Sequence, residues 1–159
     1  MKTELQKVTY RQALLLEDLG FKGSSDSGYD LEGNYGIRVG EDGDTIWFFR
    51  PKKGKPHHQY DFNHEIKLTP APEVALAIKW LLEKKKIYVK VFPMRRKRWY
   101  SNVTLLKKWK GGSSIGMIHH GIEGSFDSHD KAESAGLDLA LTHLVNEKIR
   151  KSFRKKSKT

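Results

Sequence analysis

The chain has 159 residues, no cysteine and a formal net charge of +11. That length suffices for one domain with a real core. The lack of cysteine excludes disulfides, thiolate metal sites and a cysteine nucleophile. No apolar run approaches the ~18 residues of a membrane-spanning helix, and the opening MKTELQKVTY has no apolar signal core. The expectation is a cytoplasmic protein with no membrane partner.

The charge is one-sided. Residues 1–80 carry 11 Lys/Arg and 12 Asp/Glu, a balance of −1, whereas residues 81–159 carry 19 and 7, a balance of +12. A segregated basic excess points to a polyanionic partner more than to general solubility.

In chain order, residues 9–19 form the first expected helix. Thr9 and Gln12 fit a capping box, Gly20 and Phe21 fit a C-terminal cap, and Ala13, Leu14, Leu16 and Leu19 give an apolar face. Glu17 and Asp18 read as a solvated face rather than an acid/base pair. Residues 22–36 are rich in Gly, Ser, Asp and Asn and read as loop, with room for a short strand at Tyr29–Leu31. Their spacing matches neither a calcium loop nor a phosphate-cradling loop. Ile37–Val39 and Thr45–Phe49 flank Asp42-Gly43, a strong hairpin signal. After the basic turn PKKGKP, residues 58–63 alternate as a strand.

The densest signals lie in residues 69–106. Thr69 can cap a helix over 70–85 with Pro70 at its first position, and Val74, Ile78, Leu81 and Leu82 recur at helical spacing. From Ile87 the period becomes two: Ile87, Val89 and Val91 share one face, and Tyr88, Lys90 and Phe92 the other. Pro93 is expected to end that strand. Residues 99–106 return as its partner, which makes Met94–Arg98 a hairpin tip. Lys107–Ser114 reads as a basic turn around Trp109, and Ile115–Glu123 as a third strand. Asp127 or Ser128 then caps a long helix over 129–147. Its small residues Ala132, Gly136 and Ala140 suit close packing on a sheet. Leu137, Leu141, Val145, Ile149 and Phe153 repeat every four residues. The basic end is expected to fray from about Phe153.

The fold class is therefore α+β, with antiparallel strands in one or two sheets, three packed helices and a basic C-terminal tail. Residues 1–147 make the globular part, with 1–66 and 67–147 as conceivable halves, and 148–159 the basic extension. Trp80 is expected to be at least half buried, and Trp109 the more exposed of the two.

Seven histidines raise the question of metal. A zinc site needs three or four converging ligands. His57/His58 and His119/His120 are adjacent and point to opposite strand faces, and His58 and His64 lie about 20 Å apart along one. No metal or other cofactor is expected. No serine carries a catalytic motif, and Gly112-Ser-Ser-Ile-Gly116 lacks nucleophile-elbow spacing, so no enzyme is expected.

Several phrases carry a resemblance: Leu19-Gly-Phe21, then TPAPEVALAIKWLLEKKKIYVKVFP, Trp99-Tyr100, and Gly124-Ser-Phe-Asp-Ser128 followed by Ala132 and Ala135-Gly-Leu137. Over roughly residues 9–145 the chain resembles a group of small proteins encoded by phages and prophages of gut bacteria. The resemblance implies a bacterial host cell, a genetic context and a fold, but no activity. A second resemblance is to double-stranded-RNA-binding domains. Residues 70–145 read helix, three strands, helix, with Ser128, Ala132, Ala140 and Leu141 at matching places. Where those domains carry phosphate-holding lysines, this chain has His129 and Asp130, then Glu133.

Two functions compete. One is a non-enzymatic nucleic-acid-binding module, contacting its ligand through Arg95, Arg96, Lys97, Arg98, Tyr100, Lys107, Lys108, Trp109 and Lys110. Cations would displace counterions from phosphates, and aromatics would stack on bases. The other is a protein-binding or self-associating module. It rests on the aromatic surplus of Trp47, Phe48, Phe49, Tyr60 and Phe62, since interfaces favour aromatics and arginine.

Overall fold

A computed structural model describes residues 5–23, 27–39, 46–49, 59–60, 68–109, 112–119 and 125–156. The chain divides into two compact units, Lys7–Pro72 and a second formed by Met1–Gln6 with Glu73–Thr159. Each has antiparallel strands with helical elements, so the fold is α+β.

In the first unit, helix α1 spans Tyr10–Asp18. Its start is a complete capping box: Thr9 Oγ1 accepts from the Gln12 N–H, and Gln12 Oε1 accepts from the Thr9 N–H. Its end is a Schellman turn, with Gly20 at φ +86° and the Phe21 N–H donating to the Leu16 carbonyl. Ala13 and Leu16 are buried as expected, but Leu14 is 42% exposed. Gln12 is buried in its place, because its amide is folded back into the cap.

Five strands form this unit's sheet: β1 (Ser27–Tyr29), β2 (Tyr35–Val39), β3 (Ile46–Phe49), β4 (Gln59–Tyr60) and β5 (Thr69–Pro70), in the order β4-β3-β2-β1-β5. The β2–β3 pairing matches the expected hairpin. Its Asp42-Gly43 turn, the basic turn at 51–56 and Phe62 lie outside the described residues, as do the side chains of Trp47, Phe48, Phe49 and Tyr60. Tyr29 sits between Tyr10, whose ring is tilted against it, and Tyr35, which meets it edge-on, and its hydroxyl donates to the Val8 carbonyl at 2.6 Å. Burial, helped by Tyr35, raises the Tyr29 phenol above its ordinary value.

Thr69 and Pro70 correct an expectation. They do not open a helix but pair with β1, and Thr69 Oγ1 donates to Glu17 Oε2 at 3.1 Å. Thr69 and Ala71 each precede a proline, and a residue before proline is pushed out of the helical region. That restriction outweighs the suitability of Pro70 as a first helical residue.

The second unit begins its helix later, so α2 spans Val74–Trp80 with Glu73 at its N-cap. It continues as a π-helical turn over Leu81–Lys85 and stops at Lys86, whose φ of 58° is left-handed. Val74, Ala77 and Leu81 are buried. Trp80 is more than half buried, with Lys85 Nζ 5.0 Å from its ring centroid.

Strands β6 (Ile87–Met94), β7 (Arg98–Trp109) and β8 (Gly112–His119) form a sheet in that order. Pro93 does not end β6 but pairs with Trp99. An edge strand tolerates a residue without a backbone donor. The register of β7 against β8 slips between Val103, paired with His119, and Thr104, paired with Met117. The side chain of Trp109 lies outside the described residues.

Helix α3 spans His129–Lys156. Ser128 is its cap, with Oγ accepting from the Lys131 N–H at 3.2 Å. The helix runs past Phe153 rather than fraying there. Its buried residues Ala132, Leu137, Ala140 and Leu141 meet Ile87, Val89, Ser101 and Val103 of the sheet in one core. The closest approach is at Gly136, where an added Cβ would collide with Ser101 Oγ and come within 2.6 Å of Val89 Cγ1.

The four-residue ladder explains why the end of α3 is free of the core. Four residues turn about 400°, so each step precesses about 40° around the helix. Leu137 and Leu141 are fully buried, Val145 is partly exposed, Ile149 is 47% exposed and Phe153 is 67% exposed.

Two outcomes are expected from this packing. Gly136→Ala should lower stability by about 1–3 kcal/mol, measured by denaturant unfolding, because overpacking outweighs the helix-propensity gain of about 1 kcal/mol. Tyr29→Phe should cost about 0.5–1.5 kcal/mol at neutral pH, because the hydroxyl's hydrogen bond is removed. Because the folded-state value is raised, the unfolded chain ionises first. The parent should therefore lose stability as pH rises through about 10, and the variant should lose less over that window.

Candidate nucleic-acid interface

The candidate interface combines one hairpin and one helix start. β6 and β7 pair from Ile87↔Leu105 to Met94↔Arg98, leaving Arg95, Arg96 and Lys97 as the tip. Arg96 (φ 61°, ψ 37°) and Lys97 (φ 55°) are both left-handed, a combination that hairpin turns normally assign to Asn-Gly. Left-handed backbone costs an L-residue about 1–2 kcal/mol. Here it carries two long cationic side chains. All four residues 95–98 are exposed, and among the described residues no carboxylate pairs with Arg95, Arg96 or Lys97.

Arg98 is committed locally. Its Nε donates to Ser125 Oγ at 2.9 Å and its Nη2 to the Ser125 carbonyl. Trp99 and Phe126 exchange both backbone hydrogen bonds at 2.8 Å. The Trp99 ring meets His129 edge-on at 5.0 Å. The base of the tip is thus fastened to the start of α3 by backbone, guanidinium and ring contacts.

That helix start carries acidic groups. Asp127 accepts from Lys131 Nζ at 2.8 Å. This bond holds its carboxyl below the usual carboxylate range, with the nearby Arg98 charge adding to the effect. His129 Nδ1 lies 3.8 Å from both Asp130 and Glu133, and one ligand atom from each of the three falls within 4.8 Å of the others. Carboxylates at this position are explained by the positive end of the helix dipole.

The sheet has two different faces. α3 lies on the face of Ile87, Val89, Ser101 and Val103. The opposite face carries Tyr88, Lys90 and Phe92 on β6, paired with Thr104, Asn102 and Tyr100 on β7. Tyr88 is 41% exposed, and Phe92 and Tyr100 are partly exposed. The rings of Phe92 and Tyr100 lie 6.2 Å apart, and Lys90 Nζ sits 4.6 Å from the Phe92 centroid.

Of the residues expected at the interface, Arg95, Arg96, Lys97, Arg98 and Tyr100 are therefore neighbours on one hairpin. Lys107 and Lys108 belong to the far end of β7, about 30 Å from the tip at strand rise. Their side chains, and all of Lys110, lie outside the described residues. α3 passes from Trp99, at His129, to Ser101, at Gly136. It therefore runs the same way as β7, and its exposed Lys148, Arg150, Lys151 and Arg154 extend away from the tip rather than bridging from it. Tyr88 and Phe92 are not among the residues expected at the interface, and Lys90 is expected there only as a filler between the tip and the 107–110 cluster. One signal for them is in the sequence: between Glu83 and Glu123 there is no Asp or Glu, while there are eleven Lys/Arg.

No family model matches this chain, and no curated protein or solved structure matches it either. Among the described residues, no helix is long and apolar enough to cross a membrane.

The tip yields a stability prediction. Replacing Arg96-Lys97 with Asn-Gly should raise stability by about 1 kcal/mol, read as a higher unfolding midpoint, because both residues accept left-handed backbone readily. An unchanged or lower midpoint would mean that the turn is not strained.

Proposed function

We propose that this protein is a small basic module of the phage or mobile-element kind that binds nucleic acid and performs no catalysis. The observation that carries this reading is the hairpin tip. Three exposed cations, without carboxylate partners among the described residues, occupy a turn with unfavourable backbone, and the surrounding structure fastens it at Arg98, Trp99 and Ser125. Strain held by its surroundings is more typical of functional positions than of solvated loops. Cations on such a tip would neutralise phosphates and release their counterions.

The order helix, three antiparallel strands, helix supports the likeness to double-stranded-RNA-binding domains, as does the burial of Ala132, Ala140 and Leu141 behind the Ser128 cap. The departure matters as much. His129, Asp130 and Glu133 stand where those domains place lysines, so phosphate contact falls to the hairpin tip rather than to the helix start. A protein-partner reading is favoured by a separate observation, the exposure of Ile149 and Phe153 on the basic end of α3.

Substituting Arg95, Arg96 and Lys97 together by Gln tests the main reading and leaves the Arg98 anchor in place. Binding of labelled DNA across about 50–200 mM salt should weaken. The slope of log affinity against log salt should fall by about 0.9 for each duplex phosphate that the variant no longer neutralises. Equal binding by variant and parent at every salt concentration would make the tip a solvated loop and move the protein-partner reading to first place.

A further inference from the structure

We infer that the face of the β6–β7 hairpin opposite α3 is a stacking platform for single-stranded nucleic acid, with Tyr88, Phe92 and Tyr100 receiving bases and Lys90 and the 95–97 tip receiving phosphates. This inference rests on the nucleic-acid reading above and specifies its ligand. Three observations meet on this face. First, α3 packs on the other face: Gly136 brings the helix onto Val89 and Ser101, the residues that alternate with the platform. Second, the platform is aromatic and partly exposed. Tyr88 is 41% exposed, and Phe92 and Tyr100 form a cross-strand ring pair. Third, the charge is of one sign. No carboxylate occurs anywhere from residue 84 to residue 122, so nothing on these strands would repel a phosphate chain.

The geometry suits a strand rather than a duplex. From Tyr88 to Arg95 is about 23 Å at strand rise, a length over which a few unpaired nucleotides could stack while their phosphates follow the cations. The rings of a base-paired duplex are turned inward and stacked on one another, so they cannot use a flat aromatic face. Every base has a π-face, so the platform should be tolerant of sequence. Deoxyribose and ribose strands share this chemistry, and the experiment includes both.

The test uses the full chain and fluorescence anisotropy at one moderate salt concentration. The probes are a labelled oligothymidylate of about 12 nucleotides, the matching oligouridylate, an abasic phosphodiester strand of equal length, and a DNA duplex of similar charge. The parent should bind the two base-bearing strands at least about fivefold more tightly than the abasic strand, since each base stacked on a ring adds favourable free energy. The variant Tyr88→Ser, Phe92→Leu, Tyr100→Leu should lose that preference and keep its affinity for the abasic strand. Leucine retains apolar cover on the sheet, and the abasic comparison on the unaltered parent stands even if the variant fails to fold. Equal parent affinity for base-bearing and abasic strands would overturn the platform and leave electrostatic binding at the tip intact. No binding of any of the probes would overturn the nucleic-acid reading itself.

Discussion

The contact on which the second unit depends is that of Gly136 with Val89 and Ser101. A helix that touches a sheet through a Cβ-less residue can lie close enough to bury Ala132 and Ala140 flat against it, with Leu137 and Leu141 alongside. This seats α3 on one face of β6 and β7 and decides which alternating set of residues is core. Ile87, Val89, Ser101 and Val103 go inside. Their neighbours Tyr88, Lys90 and Phe92 are left on the other side, whatever their apolar character. The same seating puts His129 beside Trp99 and the Ser125–Phe126 segment beside Arg98, so the packing that makes the core also fixes the base of the cationic tip.

The carboxylates are distributed to match. They cluster at the start of α3, where the helix dipole favours them and where Lys131 and His129 answer them. They are absent from the whole sheet segment. Mutual repulsion among residues 95–98 is a cost that a solvated hairpin could avoid with one Asp or Glu. Left-handed backbone at Arg96 and Lys97 is a second cost at the same three-residue turn. Stability alone explains neither feature, and the proposed polyanionic ligand would account for both.

How much of this is legible in the sequence depends on how local each signal is. The α1 caps, the Ser128 cap and the period-two run from Ile87 are local, and each appears where its residues place it. The start of α2 is a contest between two local rules at Thr69–Pro72, and the restriction before proline prevails. Leu14 looks like core by spacing, yet its place is taken by Gln12, whose amide is drawn back by the cap. The site is half legible. Consecutive cations between two strands mark the tip. Alternation separates the faces of β6 but cannot say which is covered, because both carry apolar rings or aliphatics. That choice is made by α3, more than thirty residues further on, and so Tyr88 and Phe92 come into view only in the folded hairpin. The ladder ending at Phe153 is the converse case. It reads as one apolar face in sequence, but its precession carries its last members into solvent.

Packing of α3 on one face of the hairpin leaves the other as the proposed binding surface. The most direct measurement of this is a backbone amide chemical-shift map of the labelled protein titrated with oligothymidylate. Perturbations should concentrate at 88, 90, 92, 100 and 102 and at the 95–98 tip, with 132, 136, 137 and 140 unmoved. Perturbations confined to 148–156 or to residues of the first unit, with β6 and β7 silent, would contradict it.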